Sequence, residues 1–354
     1  HHGRIVKEHS LRRRLLEAAR VIQSQAVDDP GDAHELIERA EASLFRIGHE
    51  DGRGEMRSLE EVLHEEVDKL EELSRKGVGL TGTPSGFVDL DNITGGFQPG
   101  NLIVLAARPS MGKSTLATNI AENAAIEHGR PVALFSLEMS ETELAHRFIA
   151  SQAKVSSDAL RKGQVKGDRW SKVLRAVEKL ARAQIFIDDS SDIGVLEIRA
   201  KARRLHAKHG LGLIVVDYLQ LIRADGRADS RVEQVGQISR GLKILARELE
   251  SPVIAVSQLS RAVESRNPPT PMLSDLRESG QLEQDADVVL FVYRDEYYNR
   301  ESERPGEADI LIAKHRNGPI GNVTLTFLPK YPRFANLYRE REVDAMPAQA
   351  NGAG

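Results

Sequence analysis

The chain has 354 residues, 40% of them hydrophobic and 29% charged, an ordinary globular balance with room for one large α/β domain plus a smaller appendage, or for two domains. It has no cysteine, which excludes disulfides and Cys-based metal sites and fits a reducing, cytoplasmic setting. Its 49 Lys and Arg against 53 Asp and Glu give a net charge of −4, so there is no global pull on nucleic acid, although a channel can be locally basic on a neutral protein; no apolar run reaches the ~18 residues of a membrane span.

Residues 4 to 25 read as a helix, with Ile5, Leu11, Leu15, Leu16, Ala19 and Ile22 at helical spacing among charged residues. Asp28-Asp-Pro-Gly31 breaks it, and a second helix is expected over 32–47 around Leu36, Ile37, Leu44 and Ile47. Residues 48–57 read as a flexible linker. Ser58-Leu-Glu-Glu61 is a capping-box pattern opening a helix with Leu59, Val62, Leu63, Val67, Leu70 and Leu73 apolar, which ends at the flexible Lys76-Gly-Val-Gly79. That stripe must be buried, either on its own domain or on a neighbouring subunit.

From about residue 80 the pattern becomes α/β. Apolar strand runs fall at 101–106, 131–136, 184–188, 213–217, 253–257 and 288–292. Helices are expected at about 113–128, 141–152, 168–182 and 195–209. Continuous apolar runs alternating with helices predict a mostly parallel sheet covered on both faces. A closing hairpin is expected over 308–327 around Asn317-Gly318, and residues 341–354 read as a disordered tail.

Ala107-Arg-Pro-Ser-Met-Gly-Lys-Ser114 follows the first strand and opens a helix. Backbone N–H groups and the helix dipole at such a turn cradle phosphate oxygens. Lys113 would reach the β and γ phosphates, and the Ser114 hydroxyl would take a Mg²⁺ position. Ala107 stands where the pattern asks for Gly. Asp217 ends the Leu213-Ile-Val-Val run at the same crevice, near the metal. Glu138, after the second strand, could polarise an attacking water, or be a capping or surface Glu. Gln258 could sense the γ phosphate, or be a plain surface amide.

These residues stand in order with Ser136-Leu-Glu-Met139, Val215-Val-Asp-Tyr-Leu-Gln220, Ser257-Gln-Leu-Ser-Arg261 and the segment Asp275-Leu-Arg-Glu-Ser-Gly-Gln-Leu-Glu-Gln-Asp-Ala-Asp287. The set resembles the bacterial DnaB-type replicative helicases from about residue 4 to 340, and the segment 275–287 is its most discriminating part. The resemblance implies an α/β fold of the RecA-like P-loop NTPase type, with a mostly parallel central sheet preceded by a short helical segment. It also implies a homo-hexameric ring that uses ATP and Mg²⁺ to move 5′ to 3′ on single-stranded DNA. The nucleotide would be held by Ala107, Arg108, Pro109, Ser110, Met111, Gly112, Lys113, Ser114, Thr115 and Arg147, and the metal by Ser114 and Asp217. Glu138 would be the catalytic carboxylate, and Gln258 would couple nucleotide state to the DNA loops. Lys314 and Arg316, in Lys314-His-Arg-Asn-Gly318, would be fingers entering the next subunit's site; a solvated basic hairpin is the bland alternative. Arg277 and Gly280 would contact DNA phosphates and Glu278 would also lie at the strand, an odd place for an anion; phosphate contact predicts binding without sequence preference and with strong salt dependence. The Pro-rich segment 261–271 reads as a mobile loop near the channel.

The same resemblance divides the chain into a remnant of a helical head (1–48), a linker with an inter-subunit docking helix (49–79), the motor (80–340) and the tail. Relatives carry a larger head, so a truncated form is expected, and primase and a helicase loader are partners of the full-length type. Two rivals are a RecA-like recombination or repair ATPase, and a nucleotide-gated assembly module without catalysis. The segment 275–287 and the linker helix weigh against the first; Glu138 and Arg316 weigh against the second.

Overall fold

The computed structural model describes residues 2–28, 58–76, 80–224 and 230–337, with scattered positions between 36 and 44. Side chains at 2–8, 65, 69, 72, 73, 76 and 277–279 are outside that description. The helix expected over 32–47 is therefore described only in part, and the linker 48–57, residues 77–79 and the tail 341–354 lie outside the described residues.

Two helices, α1 (His2–Asp28) and α2 (Leu59–Lys76), come first. The chain then runs α3 (Val88–Thr94), β1 (Leu102–Ala107), α4 (Lys113–Ile126), β2 (Val132–Ser136), α5 (Glu141–Ala153), α6 (Ser157–Arg161), α7 (Gly167–Arg182), β3 (Ile185–Asp188), α8 (Val195–His209) and β4 (Leu213–Asp217). It continues through α9 (Arg231–Leu249), β5 (Val253–Gln258), α10 (Gly280–Asp285), β6 (Val288–Tyr293), α11 (Asp295–Tyr298), β7 (Glu307–His315), β8 (Gly321–Leu328) and β9 (Arg333–Asn336). The strands form one sheet in the order β3-β2-β4-β5-β1-β6-β7-β8-β9. The run β3 to β6 is parallel, and the last three strands join antiparallel.

Side-chain alternation along β1 explains why the strands are apolar throughout. Ile103, Leu105 and Ala107 pack with Leu116 and Ile120 of α4 on one face. Leu102, Val104 and Ala106 pack with Ile198 of α8 and Leu242 and Leu245 of α9 on the other. With both faces covered, neither parity of the strand can be polar. A small satellite core, Ala153, Val155, Val173 and Ala176, joins α5 to α7.

The short helices α3, α6, α10 and α11 are absent from the sequence reading, and three larger features also differ from it. α9 is absent from it, although Val235, Ile238, Leu242, Leu245 and Leu249 are buried at helical spacing. β9 is also absent from it; with four residues and one inward ring, Phe334, it offers no alternation to detect. The segment 261–271 is exposed at six of its eleven residues but anchored at two points. Arg261–Ser265 forms a 3-10 turn, Val263 is fully buried, and Arg266 pairs with Asp275.

On α2, Ser58 Oγ accepts the Glu61 amide at 3.2 Å, which satisfies one orphan donor at the helix start. Leu59, Leu63, Val67 and Leu70 are all more than half exposed, so none of the described residues covers this part of the stripe.

Candidate active site

Strand register gathers the chemistry. Ser136 pairs with Asp217 across β2 and β4, and Ala107 pairs with Gln258 across β1 and β5. The carboxyl ends of four neighbouring strands therefore open on one crevice, the general ligand position of such sheets. A cavity of about 440 Å³ lies there, lined by Pro109, Ser110, Gly112, Lys113, Ser114, Thr115, Glu138, Arg147, Tyr218, Gln258 and Phe327.

The phosphate turn is set by its backbone. Gly112 has φ +101°, open to glycine and strained for other residues. A Cβ there would also stand 2.9 Å from Phe334 and 3.2 Å from Phe327. Ala107 serves in place of Gly because it is the last residue of an extended, fully buried strand. The side chains of Ala107 and Met111 are in the core. The Arg108 guanidinium does not line this cavity. Nε meets Glu264 at 2.8 Å and Nη1 donates to the Leu259 carbonyl at 2.9 Å. Arg108 instead lines an adjoining cavity of about 460 Å³ with Arg231, Arg261 and Gln258. These three nucleotide-binding assignments can therefore act only through backbone.

Lys113 Nζ lies 3.4 Å from Glu138 Oε2, 3.7 Å from Asp217 Oδ1, and 4.5 Å from the centroid of the Tyr218 ring. Asp217 is 1% exposed, and neither carboxylate oxygen accepts a hydrogen bond. Burial pushes its carboxyl above the usual range; the Lys113 ammonium and the nearby Ser114 hydroxyl oppose that, and Glu138 adds to it. A buried carboxylate with empty acceptor sites beside a helix-start hydroxyl fits a hard divalent cation. Among the described residues no group of three His, Asp or Glu side chains gathers round a metal position, so phosphate and water would supply the other ligands, the habit of Mg²⁺.

Glu138 is half-exposed and reaches the cavity from a turn fixed by Ser136, whose hydroxyl donates to the Met139 carbonyl at 2.7 Å. Arg147 projects from α5, paired with Glu143 one turn back at 3.3 Å. Gln258 belongs to both cavities, and the neighbouring Gln220 amide donates to Ser257 Oγ at 2.9 Å.

Lys314 and Arg316 do not line this cavity. Lys314 Nζ donates to the Glu283 carbonyl at 2.6 Å and Arg316 Nη2 to the Gln284 carbonyl at 3.3 Å. Burial lowers the Lys314 pKa, with the Arg316 charge acting in the same direction. Gly280 is exposed with open space at its Cβ position, so backbone there is approachable; the side chains of Arg277 and Glu278 are outside the described residues. Four lining or wall residues were not singled out from sequence. Tyr218 could have been, because it follows Asp217. Arg294, Phe327 and Phe334 carried no signal: Arg294 lies 4.1 Å over the Phe327 ring and donates to the Ser110 carbonyl at 3.2 Å, contacts that exist only once β6 to β9 have folded beside the turn.

Comparison with known proteins decides the family. Residues 82–336 match the family described as DnaB-like helicase C terminal domain. The chain belongs to the DnaB-like replicative helicases. The replicative DNA helicase DnaB of Geobacillus stearothermophilus is 44% identical over 351 residues, 99% of this chain and 77% of that protein. The replicative DNA helicase DnaC of Bacillus subtilis is 43% identical, with the same coverage. A solved DnaB-like replicative helicase, described with its interactions with primase, superposes with a TM-score of 0.80 at 37% identity, covering 95% of this chain and 78% of that one. A second solved structure, of an ATPase domain, gives 0.76 at 42% identity, covering 80% of this chain and all of that one. This DnaB-like chain is an NTP-hydrolysing DNA helicase with a RecA-like motor fold, and the recombinase alternative is not favoured. No described helix is long and apolar enough to cross a membrane.

Proposed function

We propose that each active centre is shared between two copies of the chain, and that ATP hydrolysis at these seams drives a hexameric ring 5′ to 3′ along single-stranded DNA. One observation carries this reading: the phosphate turn, Glu138 and Gln258 line one cavity, with Asp217 3.7 Å from its Lys113, whereas Arg316 and Lys314 are on the same chain but outside it. A neighbour must bring them.

In this reading the turn amides and Lys113 hold the ATP phosphates. Ser114 and Asp217 hold Mg²⁺, which would neutralise charge on the β and γ phosphates. Glu138 orients the attacking water and accepts its proton, with the Lys113 ammonium 3.4 Å away. Gln258 reports the γ phosphate to the adjoining cavity. Arg316 enters from the next copy, where such an arginine contributes about 10³ to 10⁵ in rate. Arg277 and the backbone at Gly280 meet DNA phosphates, and Glu278 lies beside the strand. The exposed stripe of α2 docks on a neighbouring motor, and the exposed Trp170, Leu174 and Val177 of α7 are a stripe of matching chemistry. A primase partner is carried over from the relative described with one.

Arg316→Ala tests the seam. Turnover should fall at least about a thousandfold with nucleotide affinity nearly unchanged. Normal turnover in that variant would end the proposal.

A further inference from the structure

Asp275 and Asp287 are the first and last residues of the segment that distinguishes the family, and both are 4% exposed. Each is held by a cation, Asp275 by Arg266 and Asp287 by Lys243. Each also accepts a backbone amide, Met272 at 2.7 Å and Leu102 at 2.8 Å respectively. Carboxylates this deeply buried persist only when paired and hydrogen-bonded. The DNA loop 277–280 is thus strung between two fixed anchors.

The second anchor is joined to the finger. The Arg316 amide donates to the Asp287 carbonyl at 2.8 Å, and Arg316 Nη1 lies 3.6 Å from Asp287 Oδ1. Both finger cations also bond the last carbonyls of α10, Glu283 and Gln284, where positive charge at a helix end is favourable. α10 begins at Gly280, so DNA loop, short helix and finger are one connected piece. Asp287 is shared between Lys243 and Arg316. If the Arg316 side chain leaves, Lys243 and the Leu102 amide still satisfy the buried carboxylate, so release strands no buried charge. A ligand that favours the released side chain can shift such a contact.

We infer that Asp287 is a positioning residue that holds Arg316 on its own chain until DNA at 277–280 displaces α10 and frees the finger for the neighbouring site. This rests on the shared-centre reading above. The hold is a 3.6 Å ion pair between a half-exposed Arg316 and a buried Asp287 that already has Lys243, worth about a 1.5- to 5-fold change in equilibrium. Asp287→Asn should therefore raise DNA-free ATP turnover by that factor and lower the ratio of DNA-stimulated to DNA-free rate equally, with KM for ATP unmoved. Structural damage would instead lower both rates. Adding Arg316→Ala to Asp287→Asn should abolish the gain. A DNA-free rate that stays level or drops in a folded Asp287→Asn protein overturns the inference, as does a gain that survives Arg316→Ala. If Arg316→Ala alone retains normal turnover, the shared centre has failed rather than this hold. Should Asp287→Asn not fold, hydrogen exchange on the unaltered full chain decides: an oligothymidylate strand should speed exchange of the Arg316 amide while it protects 277–280. Protection at 277–280 with no change at Arg316 also overturns it.

Discussion

Gly112→Ala is the substitution for which the structure gives the clearest magnitude. Its φ of +101° strains any side chain, at a cost of about 1–3 kcal/mol. The added Cβ would stand 2.9 Å from Phe334 and 3.2 Å from Phe327. Neither ring can swing out: Phe334 is 2% exposed and Phe327 7%, and Arg294 lies over the latter at 4.1 Å. Overpacking of this kind costs about 1–3 kcal/mol. The total loss should be about 2–6 kcal/mol in nucleotide-free urea unfolding. A double-substitution cycle separates the two parts. Phe334→Leu removes the clashing ring edge, so the pair should couple favourably by about 1 kcal/mol or more, leaving the backbone strain behind. Additivity within about 0.5 kcal/mol would refute the idea that the C-terminal hairpin presses on the phosphate turn.

Asp217→Asn should separate stability from function. Burial raises this carboxyl above its ordinary 3.8. A raised acid favours the folded state below that ordinary value, and the benefit is lost as pH rises through the raised folded value. The nucleotide-free Asn variant should thus melt higher than the parent at pH 7, with the gap closing towards pH 4. With Mg²⁺ and nucleotide the order should reverse, because only the parent gains from metal binding; thermal melts at the two pH values read both. Replacing Leu63 and Leu70 by Asp on α2 should weaken assembly, seen as a lower mass in solution by light scattering, without lowering the melting temperature of the motor. A fall in that temperature would show the stripe packs on its own domain.

The parallel strands and the phosphate turn were legible because a doubly covered strand must be apolar at every position, and because a strand, a Gly-Lys-Ser turn and a helix stand in sequence order. Asp217 and Glu138 were legible as strand-end carboxylates. α9 could have been read, since its buried residues recur at helical spacing. Arg108 could not: its direction is set by Glu264 and the Leu259 carbonyl, more than a hundred residues away. The same holds for Phe327 and Phe334, brought to the turn by antiparallel strands with weak patterns of their own. The contacts of Lys314 and Arg316 with Glu283 and Gln284 of their own chain were hidden too, because they fall on backbone carbonyls, which carry no residue signature.

The shared active centre is tested most directly by mixing two inactive proteins. Lys113→Ala lacks the phosphate lysine but has its finger; Arg316→Ala has the lysine but lacks the finger. Each alone should be inactive in DNA-stimulated ATP hydrolysis. Co-assembled, they should recover turnover at those seams where an intact Lys113 meets an intact Arg316. Two proteins that bind nucleotide or DNA as expected, assemble together and still recover nothing would contradict a centre built from two chains.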